Sequence, residues 1–439
     1  MSAMNANETK QHFLRQLDAW LANPEHRDTP IHRLRQAARE RLDVSQFPTT
    51  KNEDWKYTNL KPFFENDFHF APQLGTGFQL PDAKSYQIHA DAWTMVFVNG
   101  HFQPAASRLD GLDESITLVP LDKADTSRPD SDLVRILDCM GRTEEDIFSD
   151  LATAFLHNGV YLHIPKNVKL DKPIHLVYLS TDSETPFFTA PRNIIALDQG
   201  AEAVVTEHFQ GAEGAIYHSN PLTQILVAEN ANLTHNKLGL ESEYAYHVGR
   251  MVVNQSQDSR FSTWSFTLGG RLVRNEIDVL LDGSGSEVHL NGLYIATGEQ
   301  HMDNQTYIDH AVPHTTSTEH YRGVMNDHGH GVFTGRVLVR QDAQKTDAQQ
   351  MNKNLLLSKT AQADTRPQLE IFADDVKASH GATVGQLDED QIFYLRSRGI
   401  GEAAARHLLT QAFANEIVDS VPHEEMGNFV HSIVNQRLS

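Results

Sequence analysis

Histidine is the residue type best placed to do chemistry in this chain. Among its 24 histidines, His380 has the most pointed setting, between Ser379 and Gly381. The stretch reads as a compact polar step. It follows a strand-like run (Leu369, Ile371) broken at Asp374-Asp375, and Thr383 to Asp390 reads as a turn into a helix. Gly381 permits unusual backbone angles or a close neighbour beside the imidazole. Six further histidines, His301, His310, His314, His320, His328 and His330, crowd one stretch. Imidazole is a common metal ligand, and strand residues two or four apart share a face. His310 could therefore join His314, and His328 could join His330. Pro313, Gly329 and Gly331 argue instead for turns, and Asp303, Asp309 and Glu319 add carboxylates at no standard ligand spacing. A metal role and ordinary hydrogen-bonded histidines both fit.

Other chemistries find little support. The chain has one cysteine, Cys139, in a helical-looking segment, so no intramolecular disulfide is possible. An iron–sulfur cluster normally takes four thiolates, so this chain cannot hold one alone. No G-x-x-x-x-G-K-[ST] pattern occurs, and Gly283-Ser284-Gly285-Ser286 reads as a turn and not as a phosphate cradle. There is no G-x-S-x-G elbow. The formal net charge of −21 opposes binding to nucleic acid or an anionic membrane, where local cation excess is needed. No apolar run approaches a membrane span, and the N-terminus lacks a basic and then apolar leader, so the expected location is the cytoplasm.

Three regions differ in pattern, with boundaries expected at 1–80, 81–385 and 386–439. In the first, Phe13, Leu14, Leu17, Trp20 and Leu21 lie on one helical face, and Pro30 opens a second helix running to about Leu42. An aromatic connector without period follows. The middle region reads as short β-strands separated by Asn, Asp, Gly and Ser clusters, with a helical insertion near 131–158. The first apolar residue after each polar break recurs at Ile174, Ala203, Leu233, Phe261 and Val288, with spacings of 29, 30, 28 and 27. Near-constant spacing means stacked units, each too small to bury its own face. A parallel β-helix satisfies that pattern better than an antiparallel sandwich, which also spaces strands regularly. In the third region Asp388 caps a helix ending at Gly399, a second runs from about Glu402 to Val418, and a third follows Pro422. Their apolar stripes serve either self-packing or a docked partner.

Long stretches add a resemblance. Asp374-Asp375-Val376-Lys377, Ser379 through Gly385, and Phe393-Tyr394-Leu395-Arg396-Ser397-Arg398-Gly399-Ile400 resemble the SufB/SufD family, on its SufD side. So do Leu355 to Asp375, Trp55-Lys56-Tyr57-Thr58 and Glu207-His208-Phe209. The resemblance spans nearly the whole chain. It implies a mainly β fold, a right-handed parallel β-helix core flanked by N-terminal and C-terminal helical regions. It also implies a non-catalytic scaffold subunit for iron–sulfur cluster assembly and iron acquisition, paired with SufB through the β-helix cores. The ABC-type ATPase SufC would dock on the C-terminal helices, for which Phe393, Tyr394, Arg396, Arg398, Leu408 and Phe413 are candidates. His380 matches the family's important histidine and is the candidate metal or cluster-assembly residue, with the nascent cluster at the SufB interface and none bound by this chain alone. Family members commonly carry Cys where this chain has Ala378, so any contribution here is an imidazole and not a thiolate. A homodimer in isolation is plausible on the same grounds. The competing readings are a β-helix polysaccharide lyase or hydrolase, a SufB-type scaffold, and a purely structural subunit.

Overall fold

A computed structural model of the chain describes residues 4–22, 30–70, 74, 80–124, 133, 136 and 146–438. Cys139 lies outside the described residues. The chain is mostly β, a parallel solenoid of about eight turns with helices at both ends. Each turn contributes one strand to each of two sheets. From Gly159–Ile164 onward the strands of each sheet stack in parallel, and from Leu222–Val227 on each pairs with the strand two places on, up to Gln362–Ile371 in one sheet and Lys377–Gly385 in the other.

The polar breaks of the sequence are the corners of this coil. One corner holds a residue in the left-handed region on each successive turn: Gly200, Asn230, Asp258, Gly285, His314 and Lys345. Gly, Asn and Asp tolerate that conformation most readily. Successive corners hydrogen-bond to each other, as from Gly200 N to Glu229 O at 3.0 Å and from Asn230 N to Gln257 O at 3.0 Å. The apolar repeat is the inward column between corners. Ala203, Leu233, Phe261 and Val288 are direct partners on adjacent strands. Ile174 sits two residues out of that register and pairs with Val205. The column then continues through Ser317 and Ala348 to Ala378.

Helix α1 (Ala6–Leu21) starts with a capping box in which Asn5 and Glu8 satisfy each other's backbone N–H. It buries Phe13, Leu14 and Leu17 against Phe63, Phe155 and Phe188. Helix α2 (Pro30–Val44) packs on α3 (Ile147–Ala154), which forms part of the insertion. Leu133 and Ile136 of the same insertion are buried beside Ile194. Residues 131–132, 134–135 and 137–145 of that insertion, Met140 among them, lie outside the described residues. At the other end, α4 (Glu389–Ser397) is capped by Asp388 and stopped near Gly399 (φ +89°). It is followed by α5 (Glu402–Val418) and α6 (Glu424–Leu438). Ala414, Ile417, Val418, Met426, Val430 and Val434 bury themselves against Leu238, Trp264, Phe266, Leu293 and Val324 of the solenoid wall. The main apolar stripe of these helices is thus used within the chain.

Candidate functional site

The Ser379-His380-Gly381 sequence is not a compact step. It lies in mid-strand in Lys377–Gly385, the last rung of its sheet. The break at Asp374-Asp375 is only the preceding corner, and Thr383 to Gly385 is still strand. Runs of polar residues with a glycine read as a turn because stacking on a preceding rung leaves no local trace.

Strand alternation puts Ala378, His380 and Ala382 on one face. Ala378 packs on the solenoid core, so that face is the interior one. On the opposite face, the Cα of Gly381 comes so close to Met351 that an added Cβ would lie 3.0 Å from its methyl carbon. His380 therefore continues an inner column through Val205, His235, Thr263, Leu290, Glu319 and Gln350, each the in-register partner of the next. Among the described residues no further rung covers it. The imidazole is exposed, and among the described residues it makes no hydrogen bond or ion pair.

The whole end of the solenoid is open in this sense. No residue of Gln362–Ile371 or Lys377–Gly385 is buried, whereas the preceding rungs bury most of theirs. Both terminal strands have a paired side and an unpaired side. Ile371, Phe372, Val384 and Met351 are exposed around them. Bare backbone edges with apolar neighbours are a template for pairing with another chain.

Behind His380 the column becomes polar. The Gln350 amide donates to a Glu319 carboxylate oxygen, and both side chains are buried. Burial pushes the Glu319 carboxyl up to about 7. Its folded value lies above the ordinary 4.5, so the folded state holds a proton that the unfolded state releases. That stability is complete below pH 4.5 and is lost as pH rises through 7. Glu319→Gln should remove the dependence, worth about 3 kcal/mol. The check is denaturant unfolding at pH 5 and pH 8, with the parent losing more stability than the variant between them. Equal losses would refute a proton held on Glu319.

The crowded histidines are distributed differently from the pairs their spacing suggests. His314 occupies a solenoid corner (φ +61°), so it shares no face with His310. His310 is buried and bonded through both nitrogens, to Thr315 Oγ1 at 2.7 Å and Ser317 Oγ at 2.9 Å. His330 lies beside His301, one rung away, with Nδ1 atoms 3.2 Å apart, and not beside His328. His330 reaches Asp364 at 2.8 Å and His301 reaches Thr58 at 2.8 Å. This pair anchors the N-terminal segment. Thr58 also donates to Asp303 at 2.6 Å, and the Trp55 ring lies 3.9 Å from the buried Arg274 guanidinium. The Trp55-Lys56-Tyr57-Thr58 stretch is therefore a clamp on the outer wall. A cavity of about 260 Å³ beside it is lined by Arg250, Glu276 and Asp278, whose charges pair with one another or with Arg274. In Glu207-His208-Phe209, the Glu207 carboxylate faces the interior and accepts from Asn193 at 2.6 Å and Thr223 at 2.7 Å. Burial lowers His208 to about 4.

The docking candidates also separate. Three residues after the last strand, α4 buries only Ile392 and leaves Phe393 and Tyr394 71% and 57% exposed. Arg398 lies 5.4 Å from the Tyr394 ring, Arg396 pairs with Glu402 at 3.3 Å, and Leu408 is exposed nearby. Phe413 is placed differently. Its ring lies 4.6 Å from the Arg322 guanidinium and packs against the solenoid, and its carbonyl accepts from Arg322 at 2.8 Å. Partly buried there, it helps hold α5 on the solenoid and offers less surface than Phe393 or Tyr394. Sequence periodicity could not separate inward from outward apolar residues on helices with two neighbours.

Among the described residues no helix is long and apolar enough to cross a membrane. Residues 178–413 match the model for the SUF system FeS cluster assembly SufBD core domain, and residues 8–176 match the SufBD N-terminal region. The chain is 33% identical to the iron–sulfur cluster assembly protein SufD of Escherichia coli over 394 residues, covering 89% of each chain. It is 32% identical to an iron–sulfur cluster assembly SufBD family protein of Synechocystis over 415 residues, 90% of this chain and 88% of that one. SufD of Bacillus subtilis shares 25% over 426 residues, 96% and 94% of the two chains. With both parts of the family architecture matched, and a relative one-third identical over nine-tenths of its length, this chain belongs to the SufBD family of iron–sulfur cluster assembly proteins.

Proposed function

We propose that the chain is the SufD-type subunit of a cytoplasmic cluster-assembly scaffold. Its open solenoid end pairs with SufB, and α4 with the start of α5 docks SufC. The observation that carries the reading is the uncovered last rung. Two strand edges and an exposed imidazole, all without partners among the described residues, lie on a surface whose backbone groups and apolar side chains call for a partner. A homologous solenoid supplies matching edges. The nascent cluster is cargo at that junction. His380 offers one nitrogen donor and Ala378 offers none, so the thiolates come mainly from SufB. Energy from ATP comes from SufC, and the chain itself is non-catalytic.

The same edges would accept a second copy of this chain, so a homodimer in isolation uses the same surface. Co-expression with SufB and SufC, followed by anaerobic reconstitution with iron and sulfide counting, tests the reading. A ternary complex that assembles cluster is expected. Failure to co-purify, or cleavage of polyuronides by the purified chain, would overturn it.

A further inference from the structure

A cluster remote from the open end has the donor set of a metal site. Helix α1 carries His12 and Gln16 one turn apart on one face. Gln16 clamps the chain on both sides of His69, its amide donating to Phe68 O at 2.9 Å and its carbonyl accepting from Phe70 N at 2.8 Å. The short strand His69–Phe70 pairs with Phe187 and Phe188. The Phe70 ring is wedged against Phe155 and Phe188 at centroid distances of 4.7 and 5.1 Å. Asp67 and His69 are two residues apart in extended chain and so point the same way, towards His12.

The result is a carboxylate between two imidazoles. His12 Nε2 lies 3.0 Å from Asp67 Oδ1, and His69 Nε2 lies 3.6 Å from Asp67 Oδ2. One ligand atom from each residue falls within 4.8 Å of the other two. Zinc with bonds of about 2.0–2.2 Å in tetrahedral geometry separates its ligand atoms by about 3.3–3.6 Å, a range close to the two distances seen, each to a different oxygen of Asp67. The Phe68 carbonyl oxygen accepts from His12 Nε2 at 3.0 Å and stands at the same edge, where metal binding would displace that proton and leave the carbonyl as a further oxygen ligand. Two imidazoles and one carboxylate suit zinc and ferrous iron, and the open side leaves room for water. The side chains at the centre are accessible, with His69 and Asp67 nearly half exposed. An ion pair alone would explain one imidazole on this carboxylate. It does not explain a strand pinned so that a second imidazole converges on the same group.

We propose that His12, Asp67 and His69 bind one divalent transition cation of the zinc or ferrous type and thereby staple α1 to the first strand. The site is independent of the SufB-facing end, so its failure leaves the scaffold reading untouched.

The test uses the full chain, stripped with chelator and titrated with Zn(II) by calorimetry and with Co(II) by visible absorption. One equivalent should bind. His69→Ala, which removes an exposed side chain, should weaken that binding at least tenfold, as should Asp67→Ala. Zn(II) should raise the thermal midpoint of the parent and not of either variant. Should His12→Ala misfold, the other two variants still decide the matter. Absence of binding, or binding that both variants retain, would overturn the proposal.

Discussion

Replacing His380 by Ala should leave the fold and the subunit assembly intact while cutting cluster formation at least tenfold. The imidazole is exposed and has no bonding partner among the described residues, so its removal should change stability by no more than about 0.5 kcal/mol. Its value lies in position. The last rung presents it at the end of the interior column, where the proposed SufB partner would meet the solenoid. The measurement is iron and sulfide per reconstituted complex, alongside thermal unfolding and size-exclusion of the same sample. Full cluster yield from the variant complex would remove His380 from the chemistry. Ala378→Cys sharpens the experiment. Residue 378 shares the inner face, so a thiol there places a sulfur donor beside the position of the missing imidazole. Rescue of His380→Ala by that change would mean that a ligand is needed at this end and that its identity is secondary.

The second large effect belongs to α4 and α5. Phe393→Asp combined with Leu408→Asp should abolish capture of SufC without unfolding the chain. Both side chains are exposed, so folding pays little. Aromatic anchors at an interface centre cost about 2 kcal/mol or more on truncation, roughly 30-fold in affinity each. Burying a carboxylate there costs more. Removing all of 388–439 is a poorer test. It would strip Ile417, Met426, Val430 and Val434 from Leu238, Phe266 and Leu293 and expose the solenoid wall. Persistence of SufC binding in the double variant, measured by pull-down or calorimetry, would place the docking surface elsewhere.

The sequence by itself determined the elements whose signals are local. The recurrence from Ile174 to Val288 announced stacked coils, because every turn must repeat the same corner and the same inward residue. Asp388 and Gly399 bounded α4, because capping is settled within a few residues. Sequence similarity singled out His380 and the missing thiol at Ala378.

Tertiary structure decided whatever depended on register between residues about 30 apart. A shift of two residues, as between Ile174 and Val205, is invisible in a period but changes every partner. For that reason His301 meets His330, His314 turns a corner, and Glu319 and Gln350 line up behind His380. Packing likewise set Phe413 partly buried against the solenoid wall and left Phe393 exposed. The same accounting turns the polar step around His380 into an uncovered rung. Nothing in residues 377–385 alone says that no strand stacks on them, and it is the absence of a next rung among the described residues that leaves the imidazole exposed.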